Sequence, residues 1–305
     1  MLDVCLLGTS GMLPLPGRWL TSLMLRCNGH SLLIDCGEGT QIAIREKGWS
    51  FHDIDGICLT HYHADHVAGL PGILLTIGNA DRTEPVTIIG PKGLKKIVAS
   101  LRVIAPELPF PVILQELEEP EEHLKLGEFA IDAFHVQHRV TCYGYSVRIP
   151  RAGKFDAARA LASGIPQKYW NRLQHGENVT DTDGGRLLTP DMVLGQERRG
   201  LKVTYCTDSR PVPVIAQMAQ DADLFICEGM YGETEKTAKA KEYRHMTFTE
   251  AAQLGKQAAP RRMWLTHYSP SLVKPGRYIQ AARDIFPPVE CGRDGMTLTL
   301  AFDDE

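Results

Sequence analysis

An α/β layered fold with its functional groups along one edge of the sheets is predicted by three features of the sequence. Short apolar strand-like runs alternate with segments of helical spacing. Three later runs, LKVTYCTDS (201–209), DLFICEGMY (223–231) and RMWLTHYS (262–269), repeat one form, an apolar strand closing on Asp, Glu or His. A fourth, DIDGICLT (53–60), runs directly into THYHADHVAG (60–69), which gathers His61, His63, Asp65 and His66. Open α/β sheets bind ligands beyond the C-terminal ends of their strands, and a recurrent polar strand end matches that rule.

In chain order, LDVCLLG (2–8), SLMLRCNG (22–29) and SLLIDCG (31–37) are apolar runs closed by Gly, Asn or Asp, as strands and hairpins are. GTQIAIREKGW (39–49) and LPGILLTIG (70–78) have helical spacing, and GEGT (37–40) reads as a plain turn into the first of them. VTIIGPKGLKKIVASLRVI (86–104) reads as strand, Gly-Pro turn, helix. FAIDAFHVQH (129–138) and YGYSVRIP (143–150) alternate like paired strands. Thr247 and Glu250 form a T-x-x-E capping box, so a helix should begin at about Phe248 and hold His245 just ahead of its N-terminus.

The segment 150–200 breaks this rhythm. A helical patch, FDAARALASG, is followed by a polar, turn-rich stretch with embedded aromatics. From Arg148 to Thr180 it carries Arg148, Arg151, Lys154, Arg159, Lys168 and Arg172 against Asp156 and Glu177, a locally basic stretch in a chain of net charge −4. The expectation is a single domain over 1–305 with an inserted arm at 150–200.

Composition narrows the function classes. With 305 residues, 43% apolar and 23% charged, the chain is an ordinary globular protein, and its net charge excludes a general nucleic-acid coat while allowing a local basic patch. No segment approaches the roughly 18 apolar residues of a membrane span, and a cytoplasmic protein is expected. Eight cysteines are scattered singly with no CxxC pair, as buried reduced thiols would be.

HxHxDH directly after an apolar strand points to metal. Two histidines at i and i+2 on a loop can face one ion while the following Asp-His pair reaches a second. Imidazole and carboxylate without thiolate suit zinc or a similar divalent ion at a hydrolytic site.

THYHADHVAGLPGILLT, the upstream DCGEGTQ (35–41) and the later strand ends resemble the metallo-β-lactamase fold, and within it the ribonuclease Z family, from Leu6 to about Ser269. The resemblance implies an αββα sandwich and a dizinc phosphodiesterase that removes the 3′ trailer from precursor tRNA. It assigns His61, His63 and His138 to one Zn2+, and Asp65, His66 and His267 to the other, with Asp208 bridging the two ions of each subunit. His138 is preferred to His135 on its spacing from YGYSV. By the same resemblance Asp65 orients the attacking water, His245 is the general acid, Glu228 is its carboxylate partner, and Asp35 supports the metal-binding loop without ligating.

Two departures from the family bear on substrate. The arm's Gly-Pro core is replaced by GIPQKYWNRLQHGENV (164–179), whose Lys168, Trp170 and Arg172 form a basic-aromatic set able to contact RNA, although Trp170 can equally pack the arm against itself. In LPLPGRWLTS (13–22), Arg18 survives where relatives carry a Lys and an Asn around it near the scissile nucleotide. The alternative expectation is therefore a relative acting on another RNA or a small phosphodiester. A metal-dependent oxidoreductase or a non-catalytic RNA-binding paralogue is the third, and the full ligand set argues against it. A homodimer is implied by the resemblance alone.

Overall fold

The computed structural model describes residues 1–182 and 184–303. Contacts divide the chain into two compact units, residues 1–149 with 201–305, and residues 150–200.

The larger unit is built on two seven-stranded sheets. The first contains β1 (Leu2–Gly8), β2 (Ser22–Cys27), β3 (His30–Ile34), β4 (Ile54–Cys58), β5 (Val86–Pro91) and β6 (Val112–Leu117), edged by the last strand of the chain. β1, β2 and β3 are antiparallel and β3 to β6 parallel. Asn28 and Gly29, both with positive φ, make the tight turn from β2 into β3. The second sheet contains β7 (Glu121–Leu126), β8 (Phe129–Val136) and β9 (Cys142–Arg151), which are antiparallel.

The smaller unit follows β9. It holds α-helices at Ala157–Ala162 and Trp170–Gln174 and a short hairpin of β10 (Val179–Thr180) and β11 (Leu187–Leu188). Its own core comprises Ala160, Ile165, Tyr169, Leu173, Val179, Leu188 and Val193.

The chain then re-enters the second sheet as β12 (Arg198–Cys206), β13 (Leu224–Glu228), β14 (Met263–Thr266) and β15 (Val289–Cys291), the last three pairings parallel, before β16 (Met296–Leu300) returns to β1. Leu23, Leu25, Ile34, Ile131, Tyr145, Val203 and Tyr205 lie in the core that joins the inner faces of the two sheets. Helices α1 (Thr40–Lys47), α2 (Ala64–Val67), α3 (Leu70–Gly78) and α4 (Leu94–Leu101) belong to the first sheet, and Ile44, Ile73, Leu74 and Val98 pack on its outer face. In chain order the arm's two helices are α5 and α6, and α7 (Pro213–Met218), α8 (Thr237–Tyr243), α9 (Phe248–Ala258) and α10 (Ile279–Arg283) complete the set. Ile215, Phe248, Ala252 and Ala282 cover the second sheet's outer face. The layers are αββα.

The strands without a clear sequence signature are the edge ones. β7 alternates exposed and half-buried residues, and its exposed positions are Glu121, His123 and Lys125, polar side chains of the kind that resist further edge pairing. The eight cysteines are all free, seven buried and Cys291 half-buried.

Candidate metal centre

The candidate ligands stand past strand ends, with Asp65 and His66 on the short helix α2 that follows β4. β4 runs into Thr60 and His61, β8 into His138, β12 into Asp208 and β14 into His267. Asp35, Asp208 and His267 have φ of 59°, 50° and 57°, the left-handed region that non-glycine residues seldom enter. Each costs on the order of 1–2 kcal/mol, and each turns the chain sharply enough to bring a polar side chain over the sheet edges.

The side chains converge in two groups. His61 Nε2 lies 2.9 Å from His63 Nδ1, and His138 Nε2 lies 3.4 Å from the same His63 atom. Asp208 Oδ1 faces this group, 3.9 Å from His61 Nε2 and 3.7 Å from His138 Nε2. In the second group His66 Nε2 and His267 Nε2 are 3.2 Å apart, with Asp65 Oδ2 at 3.7 and 3.4 Å. Asp208 Oδ2 faces these two at 3.1 and 3.2 Å. One carboxylate thus presents one oxygen to each cluster.

These donors fit divalent cations. Asp35 Oδ2, 2.8 Å from His66 Nδ1, holds the ring proton there and leaves the Nε2 lone pair directed at the carboxylate oxygens of Asp65 and Asp208. Among the described residues, none donates a hydrogen bond to the buried Asp208 Oδ2. Lone pairs crowded this closely repel one another unless protons or cations lie between them. Burial pushes His61, His63 and His138 below the ordinary imidazole range, toward the neutral form that ligates metal. His66 moves upward: burial opposes charging, but Asp35, Asp208 and Asp65 outweigh it. Asp208 and Asp65 fall well below the carboxylate range, burial being overcome by the histidines around them.

A buried outer layer fixes the rings. Thr60 donates its N–H to Asp35 Oδ1 at 2.8 Å, and its hydroxyl lies 3.0 Å from His61 Nδ1. Tyr205 donates its hydroxyl to Asp35 Oδ2 at 3.4 Å. The Met12 N–H donates to Asp65 Oδ2 at 2.7 Å, and a Cβ on Gly11 would meet the His267 ring at 2.7–3.0 Å.

His245 stands beside these clusters. Its Nδ1 is 3.1 Å from Glu228 Oε2 and 3.8 Å from Asp208 Oδ1. Glu228 is fully buried and accepts from the N–H groups of Ser209 (2.6 Å) and Met246 (3.2 Å), so its charge is held in place. Burial alone would lower the His245 pKa, but the charge and hydrogen bond of Glu228, aided by Asp208 and Asp65, raise it to about 9. The expected capping box is present: Thr247 and Glu250 bond reciprocally at the start of α9.

A family profile described as Anti-Pycsar protein Apyc1 matches residues 2–152, just under half of the chain. Over the whole length, the chain is 66% identical across 305 residues to a ribonuclease Z of Lachnospira eligens, covering 100% of both. The chain belongs to the ribonuclease Z family. Among solved structures, the short form of human tRNase Z superposes with a TM-score of 0.70 at 25% identity, covering 98% of this chain and 100% of that one. A metallo-β-lactamase-fold protein of Bacillus subtilis shares the fold at TM-score 0.68 and 20% identity, covering 97% of this chain and 98% of that one.

In this ribonuclease Z family member, His61, His63, Asp65, His66, His138, Asp208, His267, His245, Glu228 and Asp35 come together at one place. His135 does not: it is exposed, with its ring against Tyr143. Arg18 is turned to the protein, its Nη1 and Nη2 donating to the carbonyls of Leu272 (2.9 Å) and Ser269 (3.4 Å). In the arm, Trp170 donates its indole N–H to the Ile165 carbonyl and packs its ring on Phe155. Lys168 is exposed, with Nζ 3.2 Å from Thr182 Oγ1, and Arg172 is exposed and paired with Glu177. Sequence reasoning passed over Gly11, Met12, Thr60 and Asp294. Asp294 accepts from the Thr9 hydroxyl (2.7 Å) and the Trp19 N–H (2.5 Å), fixing the loop that carries Gly11 and Met12. Thr60 alone had a visible signal, its place at the head of the histidine segment.

Proposed function

We propose that the protein is a zinc-dependent endoribonuclease that removes the 3′ trailer from precursor tRNA, acting in the cytoplasm as a homodimer with two Zn2+ per subunit. The observation that carries this reading is Asp208, whose two oxygens face separate nitrogen clusters and so fit a bridge between two cations. His61, His63 and His138 would hold one ion, and Asp65, His66 and His267 the other. The all-imidazole and carboxylate donor set supports zinc. Free buried thiols support a reducing compartment, and the dimer rests on the family.

Bound divalent cations supply charge against the negative charge that develops on a phosphodiester, and they acidify water at neutral pH. The rest falls to the chain's own side chains. Asp65, oriented by the Met12 amide, positions the attacking water and accepts its proton as the new P–O bond forms. The bond to the 3′ oxygen breaks, and that oxygen takes a proton from His245. Because Nδ1 of His245 is held by Glu228, the proton it donates is the one on Nε2. Lys168, Arg172 and the remaining face of Trp170 would contact tRNA from the arm. Arg18 would act indirectly, by holding its loop against Ser269 and Leu272.

Incubating the zinc-loaded protein with a precursor tRNA and with a small phosphodiester, and mapping the cut ends, tests the reading. Expected is a cut on the 3′ side of the acceptor stem that chelation abolishes. Hydrolysis of the small diester with precursor tRNA left intact overturns it in favour of the alternative substrate class.

A further inference from the structure

A cleft of about 510 Å³ opens over the clusters and is lined by His63, Asp208 and His245 on its floor. One wall is cationic. Arg139, the residue after His138, places its guanidinium 4.7 Å from the centre of the Tyr243 ring and donates to the Glu242 carbonyl at 2.9 Å. Lys239, one turn before Tyr243 on α8, places its ammonium 5.6 Å from the Tyr231 ring and 5.9 Å from the Tyr243 ring. Both cations are exposed and both line the cleft, and among the described residues neither is joined to a carboxylate.

Cations beside a site that would hold divalent metal ions repel one another unless substrate anions come between them. A single phosphodiester, seated on the metal centre, leaves these two without a counter-charge. A second phosphate on the same strand meets it. Tyr243 and Tyr231 hold the cations by their π-faces at the cleft lining without neutralising them.

We propose that Arg139 and Lys239, propped on Tyr243 and Tyr231, form a subsite for the phosphate next to the scissile one, which selects an oligonucleotide strand over an isolated phosphodiester. This rests on the phosphodiesterase reading of the metal centre and names the substrate feature that site selects.

The test is equilibrium binding of phosphorothioate-linked uridine dinucleotides to the zinc-loaded protein. One has the linkage as its sole phosphate, and two others carry an added 5′- or 3′-phosphate. One of the added phosphates is expected to tighten binding about ten-fold, as a charge-assisted contact in a half-enclosed cleft does. In Arg139→Ala/Lys239→Ala that gain shrinks to two-fold or less, and the salt dependence of binding flattens. Lys96→Ala, an exposed lysine on α4, is the charge control. Equal affinities for all three dinucleotides in the wild type, or an undiminished gain in the double variant, overturn the subsite. Because the readout is binding of dinucleotides, failure to cut precursor tRNA would overturn the tRNA reading and leave this result standing.

Discussion

The metal centre and the arm use the same kinds of residue under opposite conditions. At the centre, His66, Asp208, Glu228 and His267 are almost wholly buried, and His66 and Glu228 have their second polar atom tied to a neighbour. A buried charge needs a partner, so each of these side chains has few positions open to it and its role follows from its surroundings. In the arm the cations lie in water, Arg172 against Glu177 and Lys168 against Thr182, at little energetic cost wherever they point. Burial turns residue type into chemistry, and exposure leaves the type ambiguous.

The sharpest way to break the contrast is at Asp208. Asp208→Ala should abolish hydrolysis, a loss of at least about 10³-fold, and lower the bound metal below the wild-type content, with the circular dichroism of the fold retained. Near-normal turnover with full metal content would remove the bridging role. Gly11→Ala comes next. The added Cβ must displace the His267 ring, on which it would sit at 2.7 Å. A loss of activity of about 10²-fold is expected, since small misplacements near the chemistry cost that much. Metal analysis separates this from unfolding: less metal than the wild type in a folded chain is the expected result.

Glu228→Gln tests the acid. The folded-state pKa of His245 is raised to about 9, so the imidazolium is present at neutral pH and is lost as pH rises through that value. Removing the Glu228 charge lowers the pKa, so the alkaline limb of kcat should move to lower pH, with kcat at neutral pH down about ten-fold. Cations held by Asp65 and Asp208 would cancel those two carboxylates' help and leave Glu228 as the main support. An unmoved limb would separate His245 from the proton transfer.

Legibility in the sequence follows the same division. β13, β14 and the C-terminal half of β12 are buried on both faces, so they read as apolar runs, and the polar residue ending each stood out. His245 was placed by the Thr247 and Glu250 cap, a local signal that survives without tertiary context. Gly11, Met12 and Asp294 carried no such signal. Met12 acts through its backbone N–H, Gly11 through the side chain it lacks, and Asp294 from 285 residues beyond Thr9 in the chain. Arg18 had the right chemistry for a phosphate, but loop geometry turned it onto two carbonyls.

In the arm, Trp170 and the two cations can be separated. Trp170→Ala removes a half-buried ring and its hydrogen bond to Ile165 from a small core, and about 2 kcal/mol of arm stability should go with it. Lys168→Ala/Arg172→Ala removes exposed cations and, with them, the contacts to Thr182, Tyr169 and Glu177. The arm stays folded, and KM for precursor tRNA should rise about three- to ten-fold with kcat unchanged, while a small phosphodiester is affected less. Limited proteolysis distinguishes the two variants: faster cleavage within 150–200 is expected for Trp170→Ala alone. Should the cation variant leave KM for tRNA where it was, the basic side chains of the arm are a solvated surface, and recognition must come from the walls of the central cleft.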